Sequence, residues 1–503
     1  MIELFERAGS HAERTAFGDG TASVSYAQLL QRSERVASAL LGDKCDLAGE
    51  RIAMLVPAGA VHVVAQWAIW RAGGCAVPLN PAATAPEIEH VLRTAGVLRA
   101  LVAGRPDEAL VTACAATRVR WIGLDALESA AARVALPELE AQRPAMIVFT
   151  SGTTGKPKGA LFTHATVVAQ VRMLVEAWEW RETDRIPLFL PLHHVHGIVN
   201  VMCCALWSGA CIEAFERFDA ARVLERVAAG AYSVFMAVPT VYVKLIEALE
   251  AQPAPQRERC TRGFAAMRLM ISGSAALPAT VHAHWQRLSG HALLERYGMT
   301  EIGMALANPL HGERRPGSVG LPLPGVEARL IDEQGASIDA EDEPGEVQVR
   351  GPAVFAGYWN DPEATRRAFS DDGWFMTGDV AVRERGYYRI LGRRSVDIIK
   401  SGGYKLSALE IENVLLEHPA VRECAVVGVA DALWGEAVAA AVVPEPGTTL
   451  ALDGLLAWCR DRLSAYKHPR RLLLLEALPR NALGKPLKPV VRALLEQDNT
   501  DPD

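Results

Sequence analysis

The sequence predicts an α/β fold with parallel strands and more than one domain. Between residues 25 and 150, short apolar runs typical of buried strands alternate with segments that have the hydrophobic period of helices. This alternation favours parallel strands joined by crossover helices. The length of 503 residues is too great for one hydrophobic core, so we expect at least two domains.

The period of the hydrophobic residues and the residues that flank each apolar run predict the individual helices and strands. An apolar window at residues 195–212 contains His196, Asn200 and several small residues, so we expect buried core there rather than a membrane span. Helices are predicted over residues 25–41, 61–71 and 85–95, and strands over residues 51–56, 75–79, 98–103, 146–150 and 234–238 and from Leu269 onward.

Composition argues against several classes of partner. The net charge of −7 and the isoelectric point near 6.1 give no reason to expect nucleic acid or an anionic membrane surface. The nine cysteines show no C-x-x-C or Cys/His ligand spacing, and the N-terminus has early acidic residues and no long apolar segment. We therefore expect reduced thiols, no zinc site, no secretory or transit leader, and a cytoplasmic location.

Residues 150–159, Thr-Ser-Gly-Thr-Thr-Gly-Lys-Pro-Lys-Gly, have the composition of a phosphate-binding loop. Glycines let backbone N–H groups face an anion, while hydroxyl and ammonium groups add donors and positive charge. The spacing is not that of a Walker A loop, and a flexible Gly/Ser linker is the alternative interpretation. Because a predicted strand precedes the loop, we expect it at the edge of the sheet where open α/β sheets bind ligands.

Three later segments carry further candidate groups. Residues 193–196 contain three imidazoles; the alternative is that they only satisfy backbone groups at a turn, and no carboxylate or thiolate stands at zinc-ligand spacing. Residues 272–276 form a turn of small residues against which a flat ring could lie. Tyr297, Thr300 and Glu301 could stack a base, contact a phosphate and hold Mg²⁺.

Five segments, in this order, resemble the adenylate-forming superfamily of acyl-CoA synthetases, luciferases and peptide-synthetase adenylation domains. They are residues 150–159, residues 297–301 (Tyr-Gly-Met-Thr-Glu), residues 374–379 (Trp-Phe-Met-Thr-Gly-Asp), Gly392-Arg393 leading to Ser401-Gly402-Gly403, and residues 479–485 (Pro-Arg-Asn-Ala-Leu-Gly-Lys).

The resemblance implies a large N-terminal domain of parallel-sheet α/β subdomains with a β-rich portion at about residues 317–388, and a small mobile α+β C-terminal domain. The implied division is residues 1–392 and residues 393–503. The hinge position, often Asp or Lys in this superfamily, is Ser395 or Val396 here, so the pivot residue is left open.

The resemblance also implies roles for individual residues and the substrates ATP and coenzyme A, with Mg²⁺ as cofactor. Lys485 would be the catalytic lysine. Thr300 would contact the α-phosphate, Glu301 would bind Mg²⁺, and Asp379 and Arg393 would bind the ribose, with Arg394 competing for the place of Arg393. The remaining implied contacts are with the β- and γ-phosphates (Thr150, Ser151, Gly152, Thr153, Thr154, Gly155, Lys156, Lys158), the adenine site (Gly273, Ser274, Ala275, Ala276, Glu295, Tyr297) and the pantetheine tunnel (Ser401, Gly402, Gly403).

The implied reaction activates a carboxylate as an acyl-adenylate, releases pyrophosphate, and transfers the acyl group to the thiol of coenzyme A. The implied setting is fatty acid metabolism, without nucleic acid or integral membrane association, and the oligomeric state is left open.

The positive charge of Arg296 narrows the choice of acyl substrate. Arg296 precedes the adenine-stacking Tyr297 and would face the acyl pocket, where a buried guanidinium needs an anionic partner such as a second substrate carboxylate. His194 would stand at the gate between acyl pocket and thiol tunnel, next to His193. Residues 294–301, 193–197 and 400–405 closely resemble those of malonyl-CoA synthetases. Lys244 stands where some of those enzymes have Arg, which leaves methylmalonate or another short dicarboxylate open.

Three other functions stay open. The chain could activate a monocarboxylic acid, with Arg296 paired to a neighbouring side chain. It could also be a non-catalytic nucleotide-binding relative or a protein that loads a separate carrier.

Overall fold

The computed structural model describes residues 3–130, 134–150, 157–401, 404–431, 433–480 and 486–498. It has a large N-terminal domain of mixed sheets and a smaller C-terminal domain, which confirms the predicted fold class.

The element bounds within these residues are as follows. The strands are β1 (Thr15–Gly18), β2 (Ser23–Ser25), β3 (Arg51–Leu55), β4 (Cys75–Pro78), β5 (Arg99–Val102), β6 (Arg120–Gly123), β7 (Pro144–Thr150), β8 (Lys158–Thr163), β9 (Arg185–Leu188), β10 (Cys211–Ala214), β11 (Val234–Ala237), β12 (Leu269–Ser272), β13 (Leu294–Met299), β14 (Gly303–Ala307), β15 (Leu321–Pro322), β16 (Glu327–Ile331), β17 (Gly345–Arg350), β18 (Gly357–Tyr358), β19 (Phe375–Glu384), β20 (Tyr387–Arg393), β21 (Ile398–Ser401), β22 (Tyr404–Ser407), β23 (Val421–Asp431), β24 (Gly435–Pro444) and β25 (Arg471–Leu474). The α-helices are α1 (Glu3–Ser10), α2 (Tyr26–Leu41), α3 (Ala60–Arg71), α4 (Ala85–Ala95), α5 (Glu108–Thr117), α6 (Leu124–Glu128), α7 (His164–Ala177), α8 (Cys204–Trp207), α9 (Ala220–Ala228), α10 (Pro239–Glu250), α11 (Ala254–Ala265), α12 (Ala279–Ser289), α13 (Pro362–Ala368), α14 (Ala408–Leu416), α15 (Leu452–Cys459) and α16 (Lys488–Gln497). A π-helix spans His196–Cys203, and 3₁₀ turns span Thr300–Ile302 and Ala465–Lys467.

The first large sheet has the order β18-β8-β7-β4-β3-β5-β6. Strands β7, β4, β3, β5 and β6 are parallel, as the alternation of strands and helices predicts. Strands β8 and β18 add an antiparallel edge to this core. The predicted helices and strands of this region are confirmed to within one or two residues at their ends.

Local sequence signals explain where the crossover helices begin and end. Helix α2 starts with a capping box, in which Ser25 and Gln28 bind each other's backbone N–H groups. Helix α4 starts with the same arrangement between Thr84 and Glu87, and it ends at Gly96 in the left-handed conformation. These caps fix α4 against the sheet, close to the predicted phosphate loop.

The second large sheet has the order β11-β12-β13-β14-β15, and it carries most of the candidate site. Strands β11, β12 and β13 are parallel, whereas β13 and β14 form an antiparallel pair. Residues 297–299 of the Tyr297 segment therefore belong to strand β13, and Thr300 and Glu301 follow in a 3₁₀ turn. The β-rich portion expected at residues 317–388 is the sheet β16-β17-β19-β20 with the neighbouring β15 and β18, interrupted only by the short α13.

The apolar window at residues 195–212 forms the π-helix, α8 and the start of β10, and nearly all of it is buried in the main hydrophobic core. This confirms the prediction of core structure. In the part of the chain that the structure describes, no helix is long and apolar enough to cross a membrane.

The C-terminal domain has its own sheet, in the order β22-β21-β24-β23 with β25 beside β24, and separate hydrophobic clusters on the two sides of that sheet. Arg394 N–H donates to the carbonyl of Gly378, and the Ser407 hydroxyl bonds the carbonyl of Leu391. These two hydrogen bonds cross the domain boundary that the resemblance implies.

Candidate active site

The phosphate-loop prediction falls on the connection between β7 and β8. Thr150 ends β7 and is paired in register with Lys158, which begins the antiparallel β8. Residues Ser151, Gly152, Thr153, Thr154, Gly155 and Lys156 lie outside the described residues. His90 on α4 braces this strand pair, because its Nε2 is 2.9 Å from the carbonyl of Pro157 and its ring packs against Phe149.

The small-residue turn after β12 lies directly against Arg296 on β13. A Cβ placed on Gly273 would come within 2.6 Å of the guanidinium Cζ and Nε, so glycine is required for this approach. Ser274 has a positive φ of 69°, and its hydroxyl accepts hydrogen bonds from both terminal nitrogens of Arg296 at 3.3 Å. Ala275 and Ala276 continue the turn as exposed residues.

Arg296 is only 3% exposed, and its Nε has no hydrogen-bond partner among the described residues. Burial lowers the pKa of Arg296 to about 10, which still leaves the group charged at neutral pH. In the described part of the chain, no carboxylate lies within ion-pair distance of the guanidinium. An isolated buried cation is unfavourable, so this position is suited to an anion supplied from outside the chain.

Three histidines lie in the same region. His196 Nδ1 is 3.2 Å from the Ser274 hydroxyl, and the rings of His193 and His194 are 4.3 Å apart. Burial lowers the pKa of all three, to about 3 for His193, and the Arg296 charge lowers the pKa of His196 further. The imidazoles are therefore neutral at pH 7 and offer hydrogen bonds without adding charge; their Nε2 atoms have no described partner.

The predicted nucleoside residues Tyr297, Asp379 and Arg393 lie together, on β13, in the middle of β19 and at the end of β20. The Tyr297 hydroxyl donates to Asp379 Oδ2 at 2.5 Å, and Arg393 Nε lies 3.1 Å from Asp379 Oδ1. Asp379 and Arg393 face each other across the strand pair. Arg394 instead pairs with Glu346 at 2.8 Å, and its side chain is 61% exposed.

Glu295 is buried beside this group and accepts a hydrogen bond from Gly317 N–H at 2.8 Å. Burial raises the pKa of Glu295 to about 8, and the Gly317 hydrogen bond opposes this change only in part. The carboxyl group is therefore largely protonated at neutral pH.

Glu301 follows Thr300 in the 3₁₀ turn after β13, and it is buried. Burial raises the pKa of Glu301, while a 2.9 Å hydrogen bond from the Tyr358 hydroxyl to Oε1 opposes the change. One carboxylate that keeps an oxygen for a ligand fits Mg²⁺, which commonly takes one or two protein carboxylates together with substrate phosphates. Within the described residues, no group of three His, Cys, Asp or Glu side chains forms a metal cage of its own.

The other predicted residues are less directly connected to this cluster. Lys244 is exposed on α10, and no described contact joins it to Arg296. Ser401 is buried at the end of β21, whereas Gly402, Gly403 and Lys485 lie outside the described residues.

Sequence reasoning missed Tyr358, which contacts Glu301 from a two-residue strand. Its sequence context, Gly-Tyr-Trp-Asn-Asp-Pro, indicates only a turn, and the contact spans 57 residues. The sequence analysis includes His196 in the histidine segment, but its contact with Ser274 joins the start of the π-helix to the turn after β12, 78 residues away, and leaves no local signal.

Comparison with known proteins is consistent along the whole chain. The model of the AMP-binding enzyme family matches residues 4–359, and that of the AMP-binding enzyme C-terminal domain matches residues 410–485. The mitochondrial malonate–CoA ligase of Homo sapiens is 42% identical over 525 aligned residues, which cover 96% of this chain and 90% of that protein.

Two solved structures are similar over nearly the full chain. ATP-bound MatB from Rhodopseudomonas palustris is 34% identical with a TM-score of 0.89, covering 98% of both chains. A malonyl-CoA ligase ternary product complex with methylmalonyl-CoA and AMP bound is 37% identical with a TM-score of 0.68, covering 95% of this chain and 100% of that chain.

Proposed function

Because the chain belongs to the AMP-binding enzyme family, we propose that it is an AMP-forming acid–thiol ligase that joins malonate to coenzyme A through a malonyl-adenylate. The relatives named malonate–CoA ligase and MatB support this reaction over the whole length of the chain.

The observation that carries the choice of malonate is the unpaired guanidinium of Arg296. One malonate carboxylate must react at the α-phosphorus of ATP, so the other remains ionised and needs a partner in the acyl pocket. Arg296 offers a planar, charged donor pair that fits a carboxylate. Neutral imidazoles from His193, His194 and His196 add hydrogen bonds around the same pocket.

The reaction has two steps. In the first, a carboxylate oxygen of malonate attacks the α-phosphorus of ATP, the P–O bond to the β-phosphate breaks, and pyrophosphate leaves. In the second, the sulfur of coenzyme A attacks the acyl carbon, the acyl C–O bond to AMP breaks, and the thiol proton is lost. The chain contributes mainly by positioning the reactants and neutralising their charge.

We assign the residues of the chain to these tasks. Tyr297 stacks on adenine, and Asp379 and Arg393 bind the ribose, with their mutual contact fixing the orientation of both groups. Thr300 contacts the α-phosphate, and Lys485 neutralises the charge that develops there in the first step. Glu301 would hold Mg²⁺, which would neutralise part of the charge on the phosphate oxygens.

We assign residues 1–392 and 393–503 to two domains that change their relative orientation between the two steps. The lower TM-score against the product-bound structure than against the ATP-bound structure, at similar sequence identity, supports this proposal. If Lys485 acts in only one orientation, Lys485→Ala should abolish adenylate formation and spare thioester formation from supplied malonyl-adenylate. Equal loss of both half-reactions would exclude the alternation.

Methylmalonate is the second candidate substrate, since it carries the same two carboxylates and one additional methyl group. The product named in the ternary complex supports its inclusion. We keep the cytoplasm as the proposed location and fatty acid metabolism as the proposed setting. Cell fractionation would test the location, and the mitochondrial relative provides the competing outcome.

The function is tested by measuring pyrophosphate release with malonate, methylmalonate, succinate, acetate and propionate, each with and without coenzyme A. We expect the highest kcat/KM with malonate or methylmalonate, AMP as the nucleotide product, and a thioester only when coenzyme A is present. Preference for a monocarboxylic acid would exclude the malonate assignment. Absence of pyrophosphate release with every acid would exclude the ligase reaction.

A further inference from the structure

Tyr358 contacts two groups of the candidate nucleotide site at once. Its hydroxyl donates to Glu301 Oε1 at 2.9 Å, and the ammonium of Lys158 lies 5.1 Å from the centre of its ring. Lys158 begins the strand that follows the phosphate loop, and Glu301 is the proposed Mg²⁺ carboxylate. The side chain therefore spans the gap between the two elements that would hold the ATP phosphates.

The backbone around Tyr358 is held in place by independent contacts. Strand β18 pairs with β8, with Tyr358 opposite Ala160, and Trp359 N–H donates to the carbonyl of Gly159 at 2.8 Å. The Tyr358 N–H also donates to the Thr365 hydroxyl at 2.9 Å. Tyr358 is thus fixed to the same strand that carries Lys158.

A second set of contacts fixes Tyr358 relative to Glu301. Phe355 N–H donates to the backbone carbonyl of Glu301 at 2.8 Å, and the rings of Phe355 and Tyr358 pack edge to face at 4.9 Å. Tyr358 is therefore held both to the strand that carries Lys158 and to the turn that carries Glu301, so it can fix the distance between these two residues.

We propose that Tyr358 is a positioning residue for magnesium-bound ATP, holding the Glu301 carboxylate and the Lys158 ammonium at a fixed separation. This inference rests on the proposed function, which makes Glu301 the metal carboxylate. The hydroxyl orients the carboxylate oxygen, as hydrogen-bonding partners of metal ligands commonly do. The ring places the ammonium on its face through a cation–π contact.

Two substitutions separate the two contacts. Tyr358→Phe removes the hydroxyl and keeps the ring, whereas Tyr358→Leu removes both. Tyr387→Phe is a matched control, because the Tyr387 hydroxyl donates to a backbone carbonyl at 3.0 Å and its ring lies 3.9 Å below Arg315, with no contact to Glu301.

The first measurement is calorimetric binding of ATP at a series of Mg²⁺ concentrations, without acid or coenzyme A. For each protein, the titration gives the Mg²⁺ concentration at which the ATP affinity reaches half of its maximum. For Tyr358→Phe we expect this concentration to rise about 10-fold or more, the range seen when hydrogen-bonding partners of metal ligands are removed. Tyr358→Leu should lower the ATP affinity a further few-fold, since the ring contact with Lys158 is also lost.

The second measurement is steady-state kinetics with melting temperatures recorded for every variant. In Tyr358→Phe the KM for ATP should rise and depend on Mg²⁺, while the KM for malonate and the melting temperature stay near the wild-type values. Unchanged Mg²⁺ dependence of ATP binding in Tyr358→Phe would overturn the inference, as would an equal change in Tyr387→Phe. Because ATP binding is measured without an acid substrate, a failure of the malonate assignment would leave this test intact.

Discussion

Gly273 lies so close to Arg296 that a Cβ on the glycine would stand 2.6 Å from the guanidinium carbon. The small-residue turn after β12 thus sets the position of the Arg296 guanidinium on β13. The Ser274 hydroxyl in this turn accepts hydrogen bonds from both terminal nitrogens of that guanidinium. The backbone at the end of β12 therefore shapes the proposed acyl pocket around Arg296 on β13.

Gly273→Ala should displace Arg296 and weaken malonate use. Overpacking of a tight contact costs about 1–3 kcal/mol, so we expect kcat/KM for malonate to fall about 10- to 100-fold. The relative loss with propionate should be smaller, because propionate has no distal carboxylate. Gly454→Ala is the control, since a Cβ there would meet no atom within 4 Å. Equal losses with both acids would mean that Gly273 does not act through Arg296.

Glu295 should make the stability of the protein fall as pH rises. Burial raises the pKa of Glu295 in the folded state to about 8 from an ordinary 4.5, so the folded state holds the proton over a range in which the unfolded chain releases it. Between these two values, stability declines with increasing pH, by up to about 1.4 kcal/mol per unit.

Glu295→Gln removes this titration and keeps an acceptor for Gly317. Its melting temperature relative to the wild type should therefore increase between pH 5.5 and pH 8. A difference between the two proteins that does not vary with pH would show that Glu295 is ionised in the folded state.

Lys488 should stabilise the C-terminal domain through a buried ion cluster. Its ammonium contacts Asp397 and lies 2.7 Å from Glu412. Lys488→Met would leave the buried Glu412 carboxylate and the partly buried Asp397 carboxylate without their cation, at a cost of about 3–5 kcal/mol. Native-state hydrogen exchange of amides in β23 and β24 measures this loss.

Lys400→Met is the control for this measurement, because that side chain is 70% exposed and lies 3.6 Å from Glu333. An exposed pair of this kind contributes about 0–1 kcal/mol. If the two variants lose similar protection, the Lys488 cluster does not stabilise the domain.

The ribose assignment separates two adjacent arginines. Arg393 Nε lies 3.1 Å from Asp379 Oδ1, whereas the Arg394 side chain is 61% exposed and pairs with Glu346. Arg393→Ala should raise the KM for ATP about 10-fold or more, as expected for losing a charge-assisted hydrogen bond. Arg394→Ala should change it less than about threefold. The reverse order of effects would assign the ribose contact to Arg394.

The parallel core and its crossover helices could be predicted because their signals are local: capping residues, helical period and short apolar runs. The antiparallel edge could not be predicted in full, because β18 has only two residues and its partner β8 lies far away in the sequence. The same limit applies to the site. Arg296 could be selected from charge in an apolar setting, whereas its contacts with Gly273 and Ser274, and the contact of Tyr358 with Glu301, depend on tertiary packing.

Lys244 is a residue whose surroundings the sequence could not predict. The sequence indicates a second cation near the acyl pocket, and the structure has Lys244 exposed on α10. An ammonium that stays hydrated contributes less than a buried guanidinium. We therefore expect Lys244→Met to reduce malonate use less than the corresponding change at Arg296.

The most direct test of the account is the ratio of kcat/KM for malonate to kcat/KM for propionate in the wild type and in Arg296→Met. Without the guanidinium, the distal carboxylate of malonate would be buried and unpaired, which costs several kcal/mol, while propionate loses no comparable contact. We expect this ratio to be lower in Arg296→Met than in the wild type by at least about 100-fold, and we expect Lys244→Met to change it less. A ratio that stays constant while both activities fall by the same factor would show that Arg296 is structural, and it would contradict the assignment of malonate.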